Sequence, residues 1–209
     1  MRIDACDVLI VTDVQNDFCS GGALAVPGGD EVIAPIHLVA PRFQHIILTQ
    51  DWHPPDHSSF ASAHPGSKPF DSITVSYGLQ TLWPPHCVQG SHGADFHPAL
   101  HLPQAELVLR KGFHREIDSY SAFVENDRTT PTGLAGYLCE RGLTRVFFAG
   151  LAYDYCVAYS ALDARRLGLA AFVLRDACRA IALGDSVALT DAQFAGAGVQ
   201  VIESANLSG

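Results

Sequence analysis

The chain has 209 residues, near the upper end of the usual single-domain size, and its 48% hydrophobic and 17% charged content suits a large buried core and excludes intrinsic disorder. Its 13 Lys and Arg against 22 Asp and Glu leave a net charge of −9, the wrong sign for a phosphate-binding surface, with no local basic cluster to offset it, which argues against a nucleic-acid partner. The apolar N-terminal run Val8 to Val11 is far too short for a membrane span and has neither basic flank nor cleavage site; together with six cysteines in no regular spacing, this predicts a cytoplasmic protein in a reducing compartment, without a membrane partner or disulfide framework.

In chain order, the first apolar run, 8–14, reads as a buried strand, and a helical pattern follows at 30–40. A second strand is predicted at 45–49. The stretch 52–104 then carries many His, Pro, Ser and Gly residues and no run long enough to enter a sheet, so it is expected to be a long functional loop region. Beyond it lie a strand at 106–110, a helix at 132–141, a strand at 146–150 and a helix at 153–167. Arg165 and Arg166 suit the negative end of that helix and Gly168 its left-handed cap. A strand at 170–174, a helix at 185–195 and a strand at 199–202 complete the chain. Near-continuous rather than alternating apolar runs are expected when helices cover both faces of a parallel sheet, so the pattern predicts one α/β domain over 1–209 with three layers, α/β/α.

Ligands of open parallel sheets bind beyond the carboxyl ends of the strands. Four polar residues occupy such ends: Asp13 after the first strand, Asp51 after the second, Lys111 after the third, and Cys156 at the start of the helix after the fourth. Any one of them alone could be an ordinary loop residue. Together they supply a base, a carboxylate able to bind metal, an ammonium and a thiol. A helix start favours a thiolate at Cys156, and its free N–H groups could hold an oxyanion. Cys6, Cys19, Cys139 and Cys178 have no such setting and read as structural. Asp13 sits in an apolar run that would normally exclude a carboxylate unless it is paired or used, either as an ion-pair partner of Lys111 or as a base for the thiol. Asp51, His53, His57 and His86 are O and N donors of the kind that bind Zn, Fe or Mn. Cys87 beside His86 is a soft donor that suits a different metal chemistry from Asp51 and reads as packing.

These residues fall into ordered motifs. Asp13-Val-Gln-Asn-Asp-Phe18, Asp51-Trp-His53, Trp83-Pro-Pro-His-Cys-Val-Gln-Gly90 with Gly93-Ala-Asp-Phe-His-Pro98, Arg110-Lys-Gly112 and Gly150-Leu-Ala-Tyr-Asp-Tyr-Cys-Val157 resemble the nicotinamidases, also called pyrazinamidases, of the isochorismatase-like hydrolase superfamily. The first and last motifs are common to the superfamily, whereas the Asp-x-His and Trp-Pro-x-His motifs mark the nicotinamidase branch.

The resemblance implies a six-stranded parallel sheet in the Rossmann-like order 3-2-1-4-5-6 and a triad of Asp13, Lys111 and Cys156. It also implies a cis peptide at Leu151–Ala152, with an oxyanion hole made by the N–H groups of Ala152 and Cys156. One divalent metal ion, Zn, Fe or Mn, would be held by Asp51, His53 and His86; some members recruit the second histidine of the loop, here His57, and others do not. The pyridine ring would lie between Phe18 and Trp83, with Tyr120 a further candidate for the wall, although Phe18 and Trp83 could instead be core aromatics. The implied reaction is hydrolysis of nicotinamide, and of pyrazinamide, to the acid and ammonia. A metal-independent cysteine amidohydrolase would share the triad but have no use for Asp51, His53 and His86. A non-catalytic pyridine- or metal-binding descendant would have no use for an intact triad. The sequence leaves the metal's identity and the choice between monomer and homo-oligomer open.

Overall fold

The structure, a computed structural model, describes residues 1–208. Its main sheet is built from β1 (Asp7–Thr12), β2 (His45–Asp51), β5 (Leu107–Lys111), β6 (Arg145–Leu151), β7 (Ala170–Arg179) and β8 (Gln200–Ile202), arranged β5-β2-β1-β6-β7-β8. Every neighbouring pair in it is parallel. Counting only these strands, that is the expected order 3-2-1-4-5-6. The central strand β1 is buried along its whole length because both faces are covered. Leu9 and Val11 join one core with Ile36 of α1 (Ile33–Val39), and Val8 and Ile10 join the other with Leu138 of α2 (Leu134–Glu140), Ala161 of α3 (Ala158–Arg166) and Phe194 of α4 (Ser186–Ala197). Alternate side chains of one strand thus feed two hydrophobic layers.

Three local features depart from the sequence reading. The stretch 52–104 sends no strand into the main sheet, as expected, but contains a separate antiparallel hairpin, β3 (Ser72–Val75) and β4 (Gly78–Thr81). Strand β7 continues to Arg179 rather than ending at residue 174, with its register against β6 shifting between Phe148 and Gly150. The helix predicted from residue 153 begins instead as a π turn, Tyr153–Val157, before α3 starts at Ala158. Gly150, at φ +112°, is required there: a Cβ would lie 2.1 Å from the Thr12 carbonyl oxygen of β1. Among the described residues no helix is long and apolar enough to cross a membrane.

Candidate active site

All four predicted strand-end residues meet at the carboxyl edge of the sheet, and Lys111 lies at their centre. The last residue of β5, it is fully buried, and its ammonium reaches Asp13 Oδ2 at 2.9 Å, Asp51 Oδ1 at 2.8 Å and the Ser119 carbonyl at 2.9 Å, with Cys156 Sγ 3.4 Å away. Burial alone would favour the neutral amine, but Asp13, Asp51 and Cys156 around it hold its pKa well above the usual lysine value. It is a charged lysine that donates to Asp51 Oδ1, the Ser119 carbonyl and Cys156 Sγ and pairs with Asp13 as an ion.

Asp13 reaches this position because the chain leaves the ladder just after Thr12. Its φ is +48°, uncommon for a residue other than glycine, and the Gln15 N–H donates to its carbonyl at 2.9 Å across a three-residue turn. The carboxylate then accepts from the Thr49 hydroxyl at 2.6 Å and faces Lys111. Burial raises its pKa above the ordinary aspartate value, with Lys111 opposing and Asp51 reinforcing the shift. A raised carboxylate pKa suits a proton acceptor and donor better than a permanently ionised structural partner.

Cys156 projects from the π turn that follows β6 and is 6% exposed. Burial pushes its thiol well above the ordinary value; Lys111 opposes this, while Asp13 and Asp51 add to it. A helix start favours a thiolate, whereas desolvation and the two carboxylates favour the thiol, the form from which a neighbouring base would take the proton. Leu151–Ala152 is a cis peptide, and Ala152 lies beside Cys156 in the lining of one pocket.

Next to this cluster, Asp51 Oδ2 lies 3.3 Å from His53 Nε2 and 3.6 Å from His86 Nε2. Burial works against the Asp51 carboxylate, yet Lys111 and then His53 outweigh it and keep its pKa well below the usual range. Each ring is turned by a carbonyl: His53 Nδ1 donates to Gly112 O at 2.8 Å and His86 Nδ1 to Pro84 O at 2.9 Å. Because a carbonyl can only accept, both Nδ1 atoms carry the proton, which leaves the Nε2 atoms, on the Asp51 side, as the positions able to bind an ion. His53 Nε2 is buried without a hydrogen-bond partner. Three donors, two of them oriented by outer carbonyls and one otherwise unsatisfied, fit a divalent ion. Gly112, at φ +68°, lets this packing occur, since a Cβ there would lie 2.5 Å from His53 Cε1.

The structure does not bring His57 into that set. Its Nδ1 accepts from the Ser59 hydroxyl at 2.7 Å and its Nε2 donates to the carbonyls of His114 and Ile117 at 3.1 and 3.2 Å, so neither nitrogen has a lone pair to offer. Burial, reinforced by neighbouring His53, pushes its pKa down to about 4. Its ring packs 4.2 Å from that of His53 and supports it from behind.

Phe18, Trp83 and Tyr120 do converge, lining one pocket above Cys156, Asp51 and His86. Trp83 Nε1 donates to the Tyr120 hydroxyl at 3.1 Å, which fixes the angle between the two rings. Phe18 and Trp83 are also part of the hydrophobic core, so wall and core are the same residues here. Cys87 packs in that core as well. Sequence reasoning missed Leu24, Asp118, Tyr155 and Ile181 in the lining. Tyr155 adjoins the nucleophile in its motif, and Ile181 follows the carboxyl end of β7, where the rule that located the other site residues would also have found it.

Comparisons with known proteins point to one family. The model of the isochorismatase domain matches residues 7–206. A nicotinamidase of Acinetobacter baylyi is 54% identical over 199 residues, covering 95% of this chain and 93% of that protein. The solved nicotinamidase and pyrazinamidase of Acinetobacter baumanii superposes with a TM-score of 0.96 at 50% identity, covering 97% of this chain and 98% of that one. The Pyrococcus horikoshii pyrazinamidase, solved in complex with zinc, gives a TM-score of 0.75 at 32% identity, covering 94% and 98%.

Proposed function

The chain belongs to the isochorismatase family, and from that premise we propose that Cys156, Asp13 and Lys111 carry out its reaction at the carboxyl edge of the sheet. The protein is an amidohydrolase that converts nicotinamide to nicotinate and ammonia. The observation that carries the residue assignment is the meeting of a buried thiol, a carboxylate of raised pKa and a charged lysine beside a separate three-donor cluster, all at one aromatic-walled pocket.

Asp13 takes the Sγ proton, and the thiolate attacks the carboxamide carbon. The oxyanion is held by the Ala152 and Cys156 N–H groups. As the C–N bond breaks, Asp13 returns its proton to the departing nitrogen, releasing ammonia and leaving a thioester on Cys156. Asp13 then takes a proton from water, the hydroxide attacks the thioester, and the Asp13 proton passes to Sγ as nicotinic acid leaves and ionises to nicotinate, its proton going to the released ammonia. Lys111 keeps Asp13 within reach of the thiol and stabilises the ionised carboxylate through the cycle.

A divalent metal is part of this reading, supported by the zinc complex of the Pyrococcus horikoshii pyrazinamidase and by the donor set here. Asp51, His53 and His86 would hold it, and when bound it supplies an electrophilic anchor for the pyridine nitrogen, its identity as Zn, Fe or Mn lying within what this donor chemistry accepts. Phe18, Trp83 and Tyr120 would flank the ring. Pyrazinamide, which has the same ring size and carboxamide, is a proposed second substrate. One domain over 1–209 is the proposed organisation, supported by the span of the family match. A cytoplasmic location is proposed in keeping with six free thiols.

The test is ammonia release from nicotinamide, with benzamide as the ring-nitrogen control, in wild type and Asp51→Ala. The anchor role requires that Asp51→Ala lose metal and turnover with no acyl group on Cys156 by mass spectrometry. Accumulation of an acylated Cys156 in that variant would instead assign the metal to the water that cleaves the thioester.

A further inference from the structure

We infer that Gln15 is the positioning residue for Asp51: its side-chain amide stands in for the piece of β1 backbone that was turned away to deliver Asp13. The inference rests on the reading of Asp51 as a metal ligand and concerns how that ligand is held.

The ladder between β1 and β2 shows what is missing. The two strands pair in parallel from Val8 opposite His45 to Val11 opposite Leu48, and the Asp13 N–H still donates to the Thr49 carbonyl at 3.3 Å. Continued in the same register, the next two bonds would run from the Asp51 N–H to the Asp13 carbonyl and from the Gln15 N–H to the Asp51 carbonyl. Neither forms. The Gln15 N–H has closed on the Asp13 carbonyl at 2.9 Å, so the two groups β1 should have offered are spent on each other. The last residue of β2 would then have a buried N–H and a buried C=O with no strand on that side, a costly omission for a residue only 4% exposed.

The Gln15 side chain supplies both bonds. Its Oε1 accepts from the Asp51 N–H at 2.8 Å, and its Nε2 donates to the Asp51 carbonyl at 2.9 Å. The second Nε2 proton goes to the Ala94 carbonyl at 2.8 Å, which ties the pair to the loop behind it. Gln15 is fully buried and its amide has a partner for each proton and for its oxygen. Few other side chains could do this: donor and acceptor must lie side by side at peptide spacing, which only Gln and Asn offer, and Asn is one methylene shorter. The consequence is a division of labour. Backbone geometry at residues 13–15 serves the base, while the Gln15 amide keeps the Asp51 peptide in the sheet, so that its carboxylate can present Oδ1 to Lys111 and Oδ2 to His53 and His86.

The experiment measures metal affinity rather than turnover. Wild type, Gln15→Met, Gln15→Glu and Asp51→Ala are loaded with Zn²⁺ and titrated with a chelator of known affinity, and the metal-free forms are melted and their Cys156 alkylated with iodoacetamide. Gln15→Met keeps length and volume but offers neither bond, and is expected to lose about 10- to 100-fold in Zn²⁺ affinity, the usual effect of removing an outer partner of a ligand. Gln15→Glu still accepts from the Asp51 N–H but turns an acceptor toward the Asp51 and Ala94 carbonyls, so it too should lose Zn²⁺ affinity. Alkylation of Cys156 should stay within about twofold of wild type in the uncharged Met variant. Unchanged Zn²⁺ affinity in either variant overturns the inference, as does a parallel loss of alkylation in the Met variant, which would make Gln15 a general support of the floor. If Gln15→Met does not fold, the Glu variant decides alone. Should Asp51→Ala hold Zn²⁺ as tightly as wild type, the metal reading fails instead, a result independent of anything seen at Gln15.

Discussion

Asp51 and Lys111 face each other in register at the ends of β2 and β5, and their side chains meet at 2.8 Å. The same ammonium lies 2.9 Å from Asp13. The proposed metal ligand and the proposed base therefore share one cation, and a change of charge at either is felt at Cys156.

Replacing Asp51 with Asn should remove metal and yet make the thiol more acidic. Asp51 is one of the negative groups that raise Cys156, and its loss leaves Lys111 to act on Asp13 and the sulfur alone. In metal-free protein the rate of Cys156 alkylation against pH should shift to lower pH than in metal-free wild type. An unshifted or upward-shifted profile would show that Asp51 is electrically remote from the nucleophile.

Asp13→Asn should lower kcat/KM on the order of 10²- to 10⁴-fold, since an amide can neither take nor return the proton. In wild type the acid limb of kcat/KM should lie above the ordinary carboxylate range, because burial raises Asp13. A limb at ordinary aspartate values would assign the titration to another group. Cys156→Ala should abolish ammonia release and leave the melting temperature nearly unchanged.

Lys111→Ala should destabilise the fold by about 3–5 kcal/mol, as expected when one partner of a buried charge set is removed and two carboxylates are left facing each other. The pH dependence has a definite sign. With the cation gone, Asp13 and Asp51 take native pKa values above their unfolded ones, so the native state holds more protons and stability should recover as pH falls through those raised values. Denaturant melts across the acid range will show it. A variant whose deficit grows toward low pH would mean that Lys111 is not the neutralising charge.

Phe18→Ala and Trp83→Ala should each raise KM by an amount equivalent to about 1–3 kcal/mol. Both rings belong to the core, so the melting temperature should fall as well. Trp83→Phe separates the two effects, keeping an apolar wall while withdrawing the Nε1–H from the Tyr120 hydroxyl. Loss of stability with unchanged KM in the alanine variants would make both residues structural only.

The parallel strands and the four strand-end residues were legible because a buried parallel strand is a simple pattern and its carboxyl end is a predictable place for polar groups, whereas the order of the strands followed from the family resemblance alone. What surrounds them was less so. His57 stands closer to Asp51 and His53 in the sequence than His86 does, and its separation from them in the site depends on Ser59 and on two carbonyls, those of His114 and Ile117, far along the chain. The hairpin β3–β4 gave little signal because its apolar residues are at most partly buried, the one buried residue being Gln80. Gln15 stood in plain view inside the first motif, but its task appears only once the register between β1 and β2 is known.

Strand β5 is an edge strand, paired only with β2, and its Val108 is exposed. Yet its last residue is Lys111 and the next, Gly112, offers the carbonyl that turns His53. An edge has one row of ladder bonds and is where hydrogen exchange by local opening is easiest. If β5 opens, the thiol loses its cation and His53 loses its orientation in the same event. Occupancy of the site should then act as a clasp on the sheet margin: the amides of Leu107–Lys111 should exchange more slowly when metal and nicotinate are bound, although no ligand atom need touch them.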